Sequence, residues 1–315
     1  MQILEPICEA KFCEESYGFR PNRSAENAIA EVERLVQRSQ MQYVVDFDIK
    51  GFFDNVNHRK LMRHGIRDTK LHQIIKQMLK APIQMPDKSI VHPSKGTPQG
   101  GILSPLLANV VLNELDWWIS SQWQNQWQNM KNPSKRQYSK RNGHRNLGNE
   151  YKALRKTKLK EMYIVRYADD FKIFCRTRQD AIKIKMAVKG WRSKLQVSEE
   201  KTSITNLKRN YSEFLGFKLK MQTKGKKQVI NAQMSNKAVR LAKSKLKGQI
   251  KLIQKPKDKA ELYKRVNLYN SMVMGIHNYY GIANNVCINL RSIQRNVSTV
   301  IKKQTHNCKT RRNQE

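Results

Sequence analysis

The sequence predicts an α+β fold, and three patterns indicate it. Residues 42–49 alternate between two sets of side chains, as a strand does. Residues 163–174 form two β-rich stretches around a tight turn, which indicates a hairpin. Stretches with helical spacing lie between these strands and resume from about 236 to 300. A chain of 315 residues has room for more than one domain. We expect one domain over 1–220 and a helical one over 221–315.

The elements are expected in a definite order along the chain. They are helices within 5–40 on both sides of a loop at 16–23, a strand at 42–49, helices at 57–80, a short hairpin at 82–95, a Gly/Pro-rich loop at 95–101, a helix at 105–119, the hairpin at 163–174, a helix at 179–196, two strands within 201–220, and helices over 236–300. Asn22 or Ser24 caps the second helix. Residues 120–160 read as a basic insertion, with 11 Lys or Arg against one acid between 130 and 160.

The charge of the chain points to a polyanionic partner. There are 61 Lys and Arg against 25 Asp and Glu, a formal net charge of +36. Such an excess fits nucleic acid or an anionic membrane. No apolar run approaches the roughly 18 residues that a membrane span needs. No signal peptide is visible, and the five cysteines lack metal-ligand spacing, so we expect reduced thiols in a cytoplasmic protein without a membrane partner.

Three carboxylates are the strongest candidates for chemistry. Asp169 and Asp170 occupy the turn of the 163–174 hairpin, and Asp48 ends the alternating strand upstream. Strands that meet in one sheet can pool such groups into a site for divalent metal, because Mg²⁺ prefers hard oxygen ligands. Asp46 shares the strand face of Asp48 and is a further possible ligand. The alternative is ordinary turn chemistry, since Asp favours turns.

Three other features accompany the carboxylates. Phe53 is placed to lie against the sugar of a nucleotide, although two core aromatics at 52–53 would give the same pattern. Gln99 lies in a loop whose glycines allow a backbone to approach a ligand, and an ordinary loop before a helix is the alternative. Phosphates could be neutralised by Arg20, by Arg23, by the 130–160 run, and by 218–257, where 13 Lys or Arg occur without an acid.

The ordered motifs resemble those of group II intron-encoded reverse transcriptases, also called maturases. The matching segments are 16–24 (SYGFRPNRS), 46–58 (DFDIKGFFDNVNH), 96–109 (GTPQGGILSPLLAN), 166–171 (RYADDF), 200–202 (EKT), 214–217 (FLGF) and 269–280 (YNSMVMGIHNYY). The resemblance covers about residues 5–290. It implies a right-hand polymerase palm with partial fingers, followed by an α-helical thumb or maturase domain.

The resemblance also implies a role for each matched residue. Asp48, Asp169 and Asp170 would be the catalytic metal ligands for two Mg²⁺ ions, with Mn²⁺ as the alternative. Nucleotide-binding residues would be Arg20, Phe53 as a gate against ribonucleotides, Gln99 and Lys201. Phe214, Leu215, Gly216 and Phe217 would form the primer grip. RNA-binding residues would include Arg23, Lys135, Arg136, Lys243 and Lys247.

The implied function is RNA-directed DNA synthesis with splicing assistance. Expected partners are group II intron RNA, an RNA template, a DNA primer or target, and dNTPs, in a bacterial cytoplasmic ribonucleoprotein. Relatives carry a longer segment before the Tyr-Gly-Phe-Arg-Pro motif, so we expect an N-terminally truncated form, and no endonuclease motif is recognisable. The rival hypothesis is an RNA-binding splicing cofactor without polymerase activity, or a decayed fragment.

Overall fold

A computed structural model gives the structure of the chain in two compact units, Met1–Asn206 and Leu207–Glu315. It describes residues 1–37, 40–49, 51–56, 58, 68–84, 87–91, 93, 95–97, 101–123, 140–141, 144–145, 152, 154–191, 198, 202–225 and 227–312. The predicted α+β class is confirmed. The first unit ends 14 residues before the expected boundary at 220. The reason is strand pairing, because the strand at Ser212–Phe214 pairs with the strand that follows it and not with the first sheet.

The first unit contains both helices and strands. They are α1 (Leu4–Glu9), α2 (Ala25–Gln37), β1 (Tyr43–Phe47), α3 (Phe52–Asn55), α4 (Thr69–Lys80), β2 (Ile83–Gln84), β3 (Ile90–Val91), α5 (Ser104–Gln122), β4 (Lys140–Arg141), β5 (His144–Arg145), β6 (Met162–Tyr167), β7 (Asp170–Cys175), α6 (Arg178–Lys189) and β8 (Ser203–Asn206). The helix expected at 179–196 ends at Lys189, where Gly190 provides the C-cap. Ser24 and not Asn22 caps α2, because its hydroxyl accepts a hydrogen bond from Asn27 N at 3.3 Å.

A four-stranded antiparallel sheet organises this unit. Its strand order is β6-β7-β1-β8, so β1 lies in the interior between β7 and β8. The predicted strand at β1 is confirmed, and Val45 and Phe47 on one face are 0% and 2% exposed. On the opposite face Asp46 is half-buried, while Val44 is buried at 0% exposure. Burying an apolar side chain of this size contributes about 1.5–3 kcal/mol.

The core of the first unit lies between the sheet and α5. This helix is longer than expected, and most of its residues are buried, including Leu112 and Ile119 at 0% exposure. Phe47 and Phe171 stack with ring centroids 4.9 Å apart on the sheet face that meets this core. The core thus holds the ends of β1 and β7 in fixed register.

The second unit is a small sheet with three long helices. Its elements are β9 (Ser212–Phe214), β10 (Phe217–Lys224), β11 (Lys227–Met234), α7 (Asn236–Ile253), α8 (Lys259–Tyr280) and α9 (Val286–Arg312). The sheet order is β11-β10-β9. Two asparagines, one just before α9 and one in its first turn, complete the hydrogen bonding of β11. Asn284 Oδ1 accepts from Ala232 N at 2.9 Å, and Asn289 Oδ1 accepts from Met234 N at 3.1 Å. In the described part of the chain, every helix is too short or too polar to cross a bilayer.

Candidate active site

The three predicted carboxylates lie at one end of the four-stranded sheet. Phe47, the last residue of β1, pairs with Phe171, so Asp48 and Asp170 come next along neighbouring strands. Asp170 also pairs with Tyr167 across the hairpin turn that contains Asp169. Ser198 N donates to Asp48 O at 2.8 Å, which fixes the chain just after β1. The strand register therefore places carboxylates from two distant segments at the same end of the sheet, as the sequence predicted.

These carboxylates influence one another electrostatically. The pKa of Asp170 is raised to about 6, first by desolvation at the end of the sheet and then by the negative charges of Asp46, Asp169 and Asp48. The Lys172 ammonium opposes this rise. An accumulation of like charge of this kind favours the binding of a cation, because a cation relieves the repulsion.

Asp46 is held by its neighbours in the sheet. Lys172 lies directly opposite on β7 and forms an ion pair with Asp46 Oδ1, and its side chain is only 3% exposed. From the other side, the hydroxyls of Ser203 and Thr205 donate to Asp46 Oδ2 at 3.2 and 3.3 Å. The interpretation of Asp46 as a further metal ligand is therefore replaced by a structural one, in which its carboxylate ties three strands together.

The hairpin turn requires a special backbone. Ala168 has φ 57°, in the left-handed region that side chains rarely adopt. The segment 15–17 supports it, since Tyr17 N donates to Arg166 O at 2.8 Å and Arg166 N donates to Glu15 O at 3.0 Å. A Cβ on Gly18 would lie 2.4 Å from Ala168 N. Glycine at position 18 therefore lets the loop at 16–23 pass directly against the turn that presents Asp169.

Arg166 holds this turn from the protein interior, and sequence reasoning missed its role. Its guanidinium is 0% exposed and donates to both oxygens of Asp116, to Asn109 Oδ1 at 2.8 Å, and to Ala168 O at 2.8 Å. Asn109 also donates to Gly18 O at 2.8 Å. The available signals were a lone basic residue in an apolar strand and an acid, Asp116, within an apolar helix that has one other acid, Glu114.

Arg20 has a structural role in place of the predicted nucleotide contact. Its side chain is 3% exposed and forms a bidentate ion pair with Glu9. The same guanidinium donates to the carbonyls of Cys13 and Ser16. Because nearly all of its N–H groups are engaged and buried, we withdraw Arg20 as a nucleotide-binding residue. Arg23 is half-buried, donates to a main-chain carbonyl and lies over the Tyr17 ring, so its assignment to RNA stays a prediction.

Phe53 lies beside the segment that leads into the Gly/Pro-rich loop. Thr97 N donates to Phe53 O at 2.7 Å, and Gly96 N donates to Val56 O at 2.8 Å. Gly96 has φ 89°, and a Cβ there would lie 2.9 Å from Phe53 O. The Phe53 ring is partly buried against the core and meets the Phe52 ring edge-on at 5.7 Å. Gln99, Lys201, Lys135 and Arg136 lie outside the described residues.

The predicted primer grip forms a tight turn in the second unit. Leu215 and Gly216 have φ 51° and 78° between β9 and β10. Two tyrosines of the 269–280 segment pack against this turn: Tyr279 Oη donates to Leu215 O at 3.0 Å, and a Cβ on Gly216 would lie 2.9 Å from Tyr280 Oη. Phe217 stacks on Tyr279 with centroids 5.6 Å apart. Two motifs that are distant in sequence thus form one structure within the second unit.

The donor set at the end of the first sheet fits a divalent cation in its chemistry. Asp48, Asp169 and Asp170 offer only hard oxygen ligands, and the charges of Asp48 and Asp169 add to the desolvation that raises the pKa of Asp170. Among the residues the structure describes, no three potential ligand side chains converge tightly enough to form a ready-made metal cage. Carboxylates of this kind are completed in polymerases by substrate phosphates and water.

An acidic sheet end within a strongly basic chain is typical of an enzyme that acts on nucleic acid. Comparison with known proteins identifies the class: residues 1–219 match the reverse transcriptase (RNA-dependent DNA polymerase) family, and the chain belongs to it. The expected right-hand polymerase fold follows from this membership. The family generally uses divalent metal ions.

Relatives confirm the resemblance to group II intron proteins. The chain is 30% identical over 344 residues to the group II intron-encoded protein LtrA of Lactococcus lactis, covering 90% of this chain and 55% of LtrA. It is 27% identical over 333 residues to an uncharacterized 91 kDa protein in the cob intron of Schizosaccharomyces pombe, covering 90% of this chain and 40% of that protein. The chain therefore spans about half the length of these relatives. A solved telomerase structure from Candida albicans is similar at a TM-score of 0.48 and 12% identity, over 96% of this chain and 48% of that one. That likeness is too distant to support an argument.

Proposed function

We propose that this protein is a group II intron reverse transcriptase that copies RNA into DNA and assists splicing of its intron RNA. The observation that carries the proposal is the position of Asp48, Asp169 and Asp170 at the same end of one sheet, in a chain of the reverse transcriptase family. Expected substrates are an RNA template, a DNA primer or target, and dNTPs, in a bacterial cytoplasmic ribonucleoprotein. The helical domain expected over 221–315, which makes up most of the second unit, would serve as thumb and maturase domain.

The carboxylates would hold two Mg²⁺ ions, or Mn²⁺ in their place. Bound there, the ions would lower the pKa of the primer 3′-hydroxyl and neutralise the leaving pyrophosphate. The protein's part is placement: Arg166 and Gly18 fix the turn of Asp169, and Lys172 with Asp46 fixes the neighbouring strands. Because these supports are hydrogen-bonded and largely buried, the backbone that carries the carboxylates would be fixed before substrate arrives.

The remaining predicted residues keep their roles in the proposal. Phe53 would exclude the ribose 2′-hydroxyl of a ribonucleotide, while Gln99 and Lys201 would contact the incoming nucleotide. Phe214–Phe217 would guide the primer. RNA contacts would include Arg23, Lys135, Arg136, Lys243 and Lys247.

Primer extension on an RNA template tests the proposal. The wild-type chain should extend a DNA primer with dNTPs and Mg²⁺, and Asp169→Asn should abolish the product. Asp87→Asn is the matched control. Asp87 is exposed in the turn between β2 and β3, and its carboxylate accepts hydrogen bonds from the backbone and hydroxyl of Ser89. A folded wild-type chain that makes no template-dependent product would refute polymerase activity.

The rival function is RNA-binding splicing assistance without polymerisation. The charge of +36 favours RNA binding equally under both hypotheses. A splicing assay with the same variants separates them. If Asp169→Asn leaves splicing assistance unchanged and the wild type makes no DNA, the cofactor hypothesis replaces the enzyme.

A further inference from the structure

Three hydrogen bonds join the segment at 53–58 to the segment at 96–97 within the first unit. Thr97 N donates to Phe53 O at 2.7 Å, and Gly96 N donates to Val56 O at 2.8 Å. The ring of His58 completes the set, with Nε2 2.6 Å from Gly96 O. A carbonyl oxygen only accepts, so Nε2 is the donor in this contact. These three hydrogen bonds are called the backbone clip below.

The helical turn that carries Phe53 has little support of its own. The helix α3 is four residues long, and Gly51 at its N-cap provides no side-chain hydrogen bond. The last carbonyls of a helix have no partner within it, and a single turn is unstable in isolation. The backbone clip supplies partners for Phe53 O and for Val56 O just beyond the helix. The position of α3 therefore depends on residues 96–97.

The far side of the backbone clip depends in turn on His58. Gly96 is buried and has φ 89°, and a Cβ on it would lie 2.9 Å from both Phe53 O and Asp54 O. The two segments are thus in direct backbone contact. His58 is half-buried and donates to the Gly96 carbonyl from its side chain. Because a buried carbonyl that loses its donor destabilises its surroundings, loss of the His58 ring nitrogen would loosen the clip.

We propose that His58 is a positioning residue for Phe53, and that through the backbone clip it sets the selectivity of the enzyme for dNTPs over rNTPs. The inference rests on the proposed function, in which Phe53 excludes the ribose 2′-hydroxyl. A gate of this kind works by steric contact, so a displacement of its ring by about 1 Å is enough to change the outcome. In this role His58 acts through the main chain and makes no contact with the nucleotide.

Hydrogen exchange followed by mass spectrometry tests the backbone clip without any catalysis. His58→Phe keeps a ring of similar size and removes the donor. The amides of Gly96 and Thr97 should then exchange about fivefold faster, as expected for one lost hydrogen bond. The hairpin formed by β6 and β7 should exchange as in the wild type, which separates a local effect from general unfolding. Unchanged exchange at residues 96–97 would overturn the inference.

Primer extension with dATP and with ATP tests the effect on selectivity. In His58→Phe the ratio of kcat/KM for dATP to that for ATP should fall about tenfold, an ordinary size for a change in pocket contacts. The KM for dATP should rise while kcat falls less than about twofold, because the carboxylates are untouched. His58→Gln is the matched control, since its amide nitrogen donates at nearly the same reach as Nε2. It should recover most of the selectivity.

A double-mutant cycle with Phe53→Ala shows whether His58 acts through Phe53. Phe53→Ala alone should lower the selectivity for dATP, because the gate is removed. Adding His58→Phe to it should lower the selectivity no further, since residues that act through one contact are not additive. Equal selectivity losses from His58→Phe in the two backgrounds would overturn the positioning role. So would a failure of His58→Gln to recover selectivity in a variant that melts as the wild type does.

Failure of this inference and failure of the proposed function give different results. If the wild type makes DNA in an Asp169-dependent manner and His58→Phe keeps its selectivity, only the inference fails. If the wild type makes no DNA, the polymerase assignment fails, and calorimetric titration of dATP and ATP into the chain with template and primer replaces the kinetic ratio. Equal binding ratios in wild type and His58→Phe, or no binding of either nucleotide, would overturn the inference as well.

Discussion

Replacing Arg166 by Met should destabilise the first unit more than most single changes. The guanidinium and Asp116 are 0% and 1% exposed, so the change leaves a buried carboxylate without its cation. Removing one partner of a buried ion pair costs about 3–5 kcal/mol. For a unit of this size each kcal/mol lowers the melting temperature by about 2–4 °C, which gives a fall of about 6–20 °C.

Tryptophan fluorescence during urea unfolding measures this cost in the right part of the chain. All five tryptophans (Trp117, Trp118, Trp123, Trp127 and Trp191) belong to the first unit, so the signal reports its unfolding alone. Arg166→Met/Asp116→Leu should recover more than half of the lost stability, because no buried charge remains. It should not recover primer extension, because Ala168 O still lacks its donor. A single variant within about 1 kcal/mol of wild type, or a double variant no more stable than the single, would refute the reasoning.

Three further predictions concern the carboxylate hairpin, with Gly248 on α7 of the second unit as the control for Gly18. Gly18→Ala should cost about 1–3 kcal/mol and abolish primer extension, because its Cβ would lie 2.4 Å from the hairpin backbone. Gly248→Ala, with open space around it, should instead raise stability by about 0.5–1 kcal/mol in calorimetry. The raised pKa of Asp170, about 6 against a usual 3.8, favours the protonated form in the fold, so its stabilising contribution should be lost as the pH rises from about 4 to about 6. In EDTA, the urea midpoint of the wild type should fall relative to Asp170→Asn across that window, and parallel curves would contradict this. Lys172→Met should shift that window to higher pH, since Lys172 lowers the pKa of Asp170. It should also lower the urea midpoint, because Asp46 loses its ion-pair partner, and adding Asp46→Asn should restore part of that loss.

The carboxylate cluster could be predicted because its signals are local. Strand alternation placed Asp48 at the end of β1, and the turn between two β-rich stretches placed Asp169 and Asp170. Strand pairing then brought them together with little freedom of register, since a shift by one residue would turn buried Phe47 towards the opposite face. The α+β class followed from the same periodicities.

The roles of the arginines could not be predicted, because they depend on distant partners. Arg20 and Arg166 both lie in motifs that resemble a nucleotide-binding family, yet their guanidinium groups meet Glu9 and Asp116 inside the protein. Sequence does not show whether the side chain of a basic residue, in a loop like Arg20 or in a strand like Arg166, points outwards or inwards when its acid lies on another element. The unit boundary was misplaced for the same reason, since β9 resembles any short strand until its pairing with β10 is known.

The parallel bridge between Ser16 and Arg166 delays the backbone support of the carboxylate hairpin to a late step in the folding of the first unit. Residues 150 positions apart must meet before the turn gains its backbone support. Closing so long a loop is slow relative to forming the helices on either side. During synthesis the segment around Tyr17 emerges early and waits for β6, with Gly18 and its neighbours still exposed. A chaperone would thus act on a nascent chain whose helices are formed but whose carboxylate hairpin still lacks its support from residues 15–17.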